Sequence, residues 1–119
     1  MADISFEQFK NMDLRVGEIK TVEDIPGADK LYKLRVDIGE AEERRLVAGI
    51  KGHYRKEELI GKKVVVLSNL EPKTIRDEVS HGMVLAAVTE TPRKVVLLNV
   101  DKAVSLHAGG LCLDQSPQV

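Results

Sequence analysis

Five side chains between Asn69 and Met83 could together grip a polyanion. Asn69 and Lys73 place an amide and an ammonium on either side of Pro72, and Arg76 adds a guanidinium suited to bidentate phosphate contact. Ser80 and Met83 follow, a hydroxyl donor and a soft apolar surface able to lie against sugar or base. Lys33 and Arg35 offer a second pair of cations within an alternating run. Each residue also has a plain alternative. Asn69 can cap a turn, Ser80 can bond backbone, Met83 can sit in a core with Leu85 and Ala87, and alternating charges can simply keep a half-exposed strand soluble.

Chemistry of the catalytic kind has no constellation to stand on. His53, His81 and His107 are far apart, and no HxxxH, CxxC or carboxylate cluster has metal-ligand spacing, so neither a metal nor another cofactor is expected. There is no GxSxG, and Gly49–His53, GIKGH, lacks the GxxxxGK[ST] order of a phosphate loop and reads as a turn. Cys112, flanked by leucines, reads as a small buried apolar side chain. A lone cysteine, no apolar run of roughly 18 residues and no signal-peptide layout at MADISFEQFK lead to the expectation of a soluble, cytoplasmic, non-enzymatic protein.

Charge limits how a polyanion could be held. With 18 Lys+Arg against 19 Asp+Glu the net charge is −1, so there is no global basic field. Any binding must come from cations concentrated on one face and must be salt-sensitive. The acids do cluster elsewhere, at Glu40, Glu42 and Glu43 and at Glu57 and Glu58.

The elements that must position these groups fit one domain spanning residues 1–119, whose 43% hydrophobic content suffices for one small core. Ser5 with Gln8 three residues later predicts a capping box and a short helix carrying Phe6 and Phe9 onto the body of the protein. A strand from Leu14 to Val22 loses its alternation at Gly17, which predicts a bulge or a sharp bend there. Ile25–Lys30 is a turn, and Tyr32–Ile38 alternates, putting Tyr32, Leu34, Val36 and Ile38 on one face and Lys33, Arg35 and Asp37 on the other. Further strands are predicted at Arg44–Ile50, Lys62–Leu70, Gly82–Glu90 and Arg93–Val100, with a short helix around Glu57 closed by Gly61. Five or six short strands in so small a chain predict a closed or nearly closed barrel, though an SH3-like barrel or small sandwich would also satisfy the pattern.

The segment NLEPKTIRDEVSHGMVLAA (69–87), with ADKLY (28–32) and DLRVGEI (13–19), resembles the tRNA-binding domain found on and beside aminoacyl-tRNA synthetases. The resemblance runs over residues 6–113. It implies an all-β, five-stranded OB-fold barrel with an N-terminal helix and a helix between strands three and four. It implies that Asn69, Lys73, Arg76, Ser80 and Met83 hold tRNA, in a loop between strands four and five, while the outer face of strand two would contribute Lys33 and Arg35. It further implies largely sequence-independent tRNA binding in trans, as a methionyl-tRNA synthetase beta subunit or a free-standing binder. Expected partners are tRNA, a second copy of the chain joined through the chain ends (here Val104–Leu113), and a synthetase catalytic subunit. The runner-up is a secretion-type chaperone that captures apolar peptide segments. Two positions depart from the family pattern: Asp77 and Glu78 follow Arg76 where a small residue is common, and Ile25 precedes Pro26 where histidine is common. The acids beside Arg76 could pair with it and weaken phosphate binding. With four aromatic residues, of which Tyr54 is expected to be exposed, base stacking is a poor energy source, and recognition by shape and backbone fits better.

Overall fold

The computed structural model describes residues 1–106, and the chain is mostly β. Cys112, His107 and most of the Val104–Leu113 segment lie outside the described residues. Helix α1 (Phe6–Lys10) precedes strands β1 (Leu14–Ile25), β2 (Ala28–Asp37) and β3 (Arg44–Ala48). Helix α2 (Lys56–Leu59) leads into β4 (Lys63–Leu67). Then come β5 (Lys73–Ile75), β6 (Glu78–Ser80), β7 (Met83–Val84), β8 (Ala86–Glu90) and β9 (Arg93–Leu97). One sheet has the order β3-β2-β1-β4-β7, and β5-β6 and β8-β9 form separate hairpins.

The alternation of β2 sets the core. Leu34, Val36 and Ile38 are fully buried together with Ile19, Leu46, Val64 and Val66, so one face of the sheet is apolar and dry. Leu59 of α2 is also fully buried, which by itself contributes about 2 kcal/mol of apolar burial. The helix is held in place where Gly61 N–H donates to Ile19 O at 2.8 Å, and Gly61 takes a left-handed φ of 86°.

The helix α1 is capped as expected: Gln8 N–H donates to Ser5 Oγ and Ser5 N–H to Gln8 Oε1. It does not pack its aromatic residues into the core, however. No residue of α1 is buried, and Phe6 is 51% exposed with Phe9 as its ring neighbour at 6.4 Å. A five-residue helix at the chain end has too little apolar face to displace the sheet's own core residues.

Gly17 is not at a bulge. It pairs in register with Val64, and the slip falls between Ile19 and Thr21. What Gly17 provides is space, since a Cβ there would lie 2.7 Å from Val36 Cγ1 and 2.9 Å from Ile38 Cγ2.

The sheet does not close into a barrel by a continuous ladder. Between β6 and β7, which belong to different sheets, Gly82 takes a φ of 119°. Two bonds bridge the gap instead: His81 N–H donates to Arg45 O at 2.9 Å, and Val47 N–H donates to Ser80 Oγ at 3.0 Å. The predicted Gly82–Glu90 strand is likewise divided at Leu85, which donates to Val65 O and accepts from Leu98 N, passing the chain from β4 to β9.

Candidate nucleic-acid interface

The expected loop between Asn69 and Met83 contains a hairpin. Ile75 pairs with Glu78, leaving Arg76 and Asp77 as a two-residue turn with φ of 53° and 66°. Positive φ at both positions is the type I′ geometry that suits the twist of flanking strands, and it normally selects Asn and Gly. Here it lifts an arginine to the tip. Arg76 is exposed and makes no ion pair among the described residues, and its Nη1 stands 3.5 Å from where a Cβ on Gly27 would be. The tip of β5–β6 therefore sits beside the β1–β2 turn.

The acids following Arg76 do not neutralise it. Glu78 turns the other way, to Lys33 Nζ at 3.4 Å, while Asp77 makes no ion pair among the described residues. The hairpin is fastened to the outer face of the sheet by that ion pair and by Ile75, which packs against a small apolar cluster of Ile25, Ala28 and Val47.

The remaining candidates fall into different environments. Lys73 is exposed at the start of β5, opposite Ser80. Met83 is 39% exposed and its neighbour Val84 is the buried one, so Met83 presents its side chain outward. Ser80 is buried, accepting from Val47 N–H and donating to Gly82 O at 3.4 Å. Asn69 is tied to the chain's beginning, with Nδ2 donating to Asn11 O at 2.6 Å and Oδ1 accepting from Asp13 N–H at 2.9 Å. Arg35 projects from the outer face of β2, half-buried, without an ion pair among the described residues.

The structure thus gathers Lys33, Arg35, Lys73 and Arg76 around the hairpin and the face of β2. Asn69 stands apart at the α1–β1 junction. Tyr54 is not an exposed stacking platform: it is half-buried against the core, and its hydroxyl accepts from Leu97 N–H at 3.1 Å. Sequence reasoning also missed Arg45. It lies directly across from Arg35, a pairing that only the register reveals.

Most other cations are bound internally. Asp24 joins Lys51 and Lys56 at 2.9 and 2.7 Å, and the two ammonium groups hold its carboxyl below the usual range. Glu18 joins Lys63 and Lys20, each at 3.0 Å, with the same effect. Among the described residues no group of three or more His, Cys, Asp or Glu side chains could hold a metal ion, and no helix is long and apolar enough to cross a membrane.

Fold and face together define a small all-β domain that presents cations from a sheet face and an adjoining hairpin. Residues 14–108 match the family described as a putative tRNA binding domain, and the chain belongs to that family. It is similar to methionine–tRNA ligase of Pyrococcus furiosus, 51% identical over 108 residues, covering 91% of this chain but 14% of the ligase. The corresponding ligase of Methanocaldococcus jannaschii is 47% identical over 104 residues, 87% of this chain and 16% of that protein. The chain therefore spans about one-seventh of the length of these curated relatives. Among solved structures, a MetRS related protein from Pyrococcus horikoshii superposes with a TM-score of 0.82 at 39% identity, covering 91% of this chain and 97% of that one. The chaperone CsaA of Bacillus anthracis gives 0.79 at 32% identity, covering 90% and 97%.

Proposed function

We propose that this chain binds tRNA through its backbone and shape, largely without regard to sequence, acting in trans as a methionyl-tRNA synthetase beta subunit or as a free-standing tRNA-binding protein. One observation carries the reading most: within a family of tRNA-binding domains, this chain spends two positive-φ residues on holding Arg76, which has no ion pair among the described residues, at an exposed hairpin tip. In this reading Lys73, Arg76 and Arg35 meet phosphates, Lys33 contributes through its partly neutralised charge, and Met83 lies against sugar or base. Ser80 and Asn69 act by fixing the hairpin and the loop that leads to it. The chain adds occupancy, and a synthetase catalytic subunit supplies the reaction, so the domain itself performs no catalysis and works in the cytoplasm. A homodimer through the chain ends would double the basic surface; exposed Ile4 and Phe6 support an apolar contact at the first of those ends.

The test is a gel-shift titration of bulk tRNA at two salt concentrations, with unstructured RNA as competitor. Binding that weakens steeply with salt and resists the competitor supports the proposal. Capture of apolar peptides that persists at high salt, with no tRNA shift, would replace it with the chaperone reading named for CsaA.

A further inference from the structure

The register of the sheet sets Arg35 of β2 directly opposite Arg45 of β3. Flanking burial fixes where both side chains go. Leu34, Val36 and Leu46 point into the core, so Arg35 and Arg45 emerge on the outer face, where directly opposed residues carry their Cβ atoms about 4.5–5.5 Å apart. Like charges in that position repel and weaken the sheet.

Nothing in the row offsets them. On the other side of Arg35 stands Thr21, a hydroxyl, and no carboxylate oxygen of the described residues comes within 4.0 Å of either guanidinium. The neighbouring rows are different. Lys33 has Glu23 across from it and Glu78 at 3.4 Å, and Asp37 accepts from Gly39 N–H at 2.9 Å. Glu42 and Glu43 line a shallow cleft beside Arg45 without pairing with it, while Glu40 in the same cleft is held by Arg44 at 2.8 Å. Arg44, adjacent in sequence, is itself consumed by Ser68 O and His81 O as well as Glu40. Of the two adjacent arginines, one fastens the fold and the other is left facing a like charge.

We propose that Arg35 and Arg45 form a second phosphate subsite, in which one backbone phosphate of the bound RNA sits between the two guanidiniums. This rests on the tRNA-binding reading and extends it to a residue outside the Asn69–Met83 segment. An anion between the two forks converts their repulsion into two charge-assisted bonds. The subsite is joined to the hairpin segment, since Arg45 O accepts from His81 N–H, three residues beyond Glu78. RNA lying along β2 would meet Arg76 at the Gly27 end and the arginine pair further along the strand.

The experiment measures tRNA affinity at 50 and 200 mM salt for wild type, R45Q, R45K, R35Q, the R35Q/R45Q double variant and K73A. Losing one phosphate contact removes about 0.7–0.9 from the logarithmic salt slope, so the affinity drop of R45Q between the two salts should be about threefold smaller than that of wild type. R45K should keep most of the slope. If the phosphate is shared, the double variant should lose less than the sum of the single losses. R45Q should melt no lower than wild type, because it removes repulsion. Wild-type slope and affinity in R45Q, with K73A weakened, would overturn the subsite and leave the tRNA reading standing. A lower melting point with an affinity loss unchanged by salt would make Arg45 a packing residue, which also overturns it. No tRNA binding by wild type at 50 mM would bring down both.

Discussion

Val47 N–H donates to the hydroxyl of Ser80 at 3.0 Å, so a side chain stands where a barrel ladder would place a carbonyl. Ser80 is only 4% exposed, and its hydroxyl joins β3 to the hairpin segment that carries the candidate binding groups. Replacing Ser80 by alanine strands a buried donor. S80A should therefore lose about 1–3 kcal/mol in urea denaturation. The same variant should weaken tRNA binding with little change in salt slope, because no phosphate contact is removed. Wild-type stability would show that water can take over the bond to Val47.

The hairpin cations should behave in the opposite way. Lys73 and Arg76 are exposed and unpaired among the described residues, so K73A and R76A should leave the denaturation midpoint within about 0.5 kcal/mol of wild type. Each should weaken binding uniformly across tRNA species and flatten the logarithmic salt slope by about 0.7–0.9. Titrating two unrelated tRNA species at several salt concentrations checks both parts. Unchanged binding in both variants would remove the hairpin from the interface.

Much of the scaffold can be read from the chain, because it follows local rules. The Tyr32–Ile38 alternation, the Ser5–Gln8 capping box and the Gly61 cap each depend on residues within a few positions of one another. The hairpin inside Asn69–Met83 cannot be read so easily. Its strands are three residues each, too short to show a period, and its turn is Arg-Asp, without the glycine that marks type I′. Gly17 illustrates a different limit: a missing Cβ looks alike whether it permits a bend or makes room for Val36 and Ile38. Arg45 needed the β2–β3 register, which lies beyond any single-strand pattern.

Acid should act on the scaffold through two bridged carboxylates. The folded pKa of Glu18 and of Asp24 is lowered, first by hydrogen bonds from Lys63 and from Lys56 respectively. A lowered pKa means the folded state holds its proton less readily than the unfolded chain. The stabilisation is complete above the ordinary values of 4.5 and 3.8, and it is lost as pH falls through the lower folded values. Asp24 is exposed and Glu18 half-buried, both within reach of solvent, so screening keeps the effect small. D24N should melt slightly below wild type at pH 7, and the difference should vanish near pH 2. A constant difference across that range would mean that the Asp24 bridge to Lys51 and Lys56 gives no pH-dependent support.

Asp77 offers the sharpest separation of fold from function. Its φ of 66° is a conformation that glycine adopts without a Cβ clash, and its carboxylate stands next to the arginine at the hairpin tip. Asp77→Gly should relieve backbone strain, offset in part by the added freedom of glycine in the unfolded chain, for a net gain of up to about 1 kcal/mol. Removing the negative charge should at the same time tighten tRNA binding at low salt, and the gain should shrink as salt screens it. Asp77→Asn keeps a residue tolerant of the left-handed region while losing the charge. If both variants tighten binding equally and only the glycine variant gains stability, the carboxylate restrains RNA affinity and the backbone strain is independent of it. If neither tightens binding, the tip of the hairpin points away from the RNA, and the interface must lie on the outer face of β2 and β3.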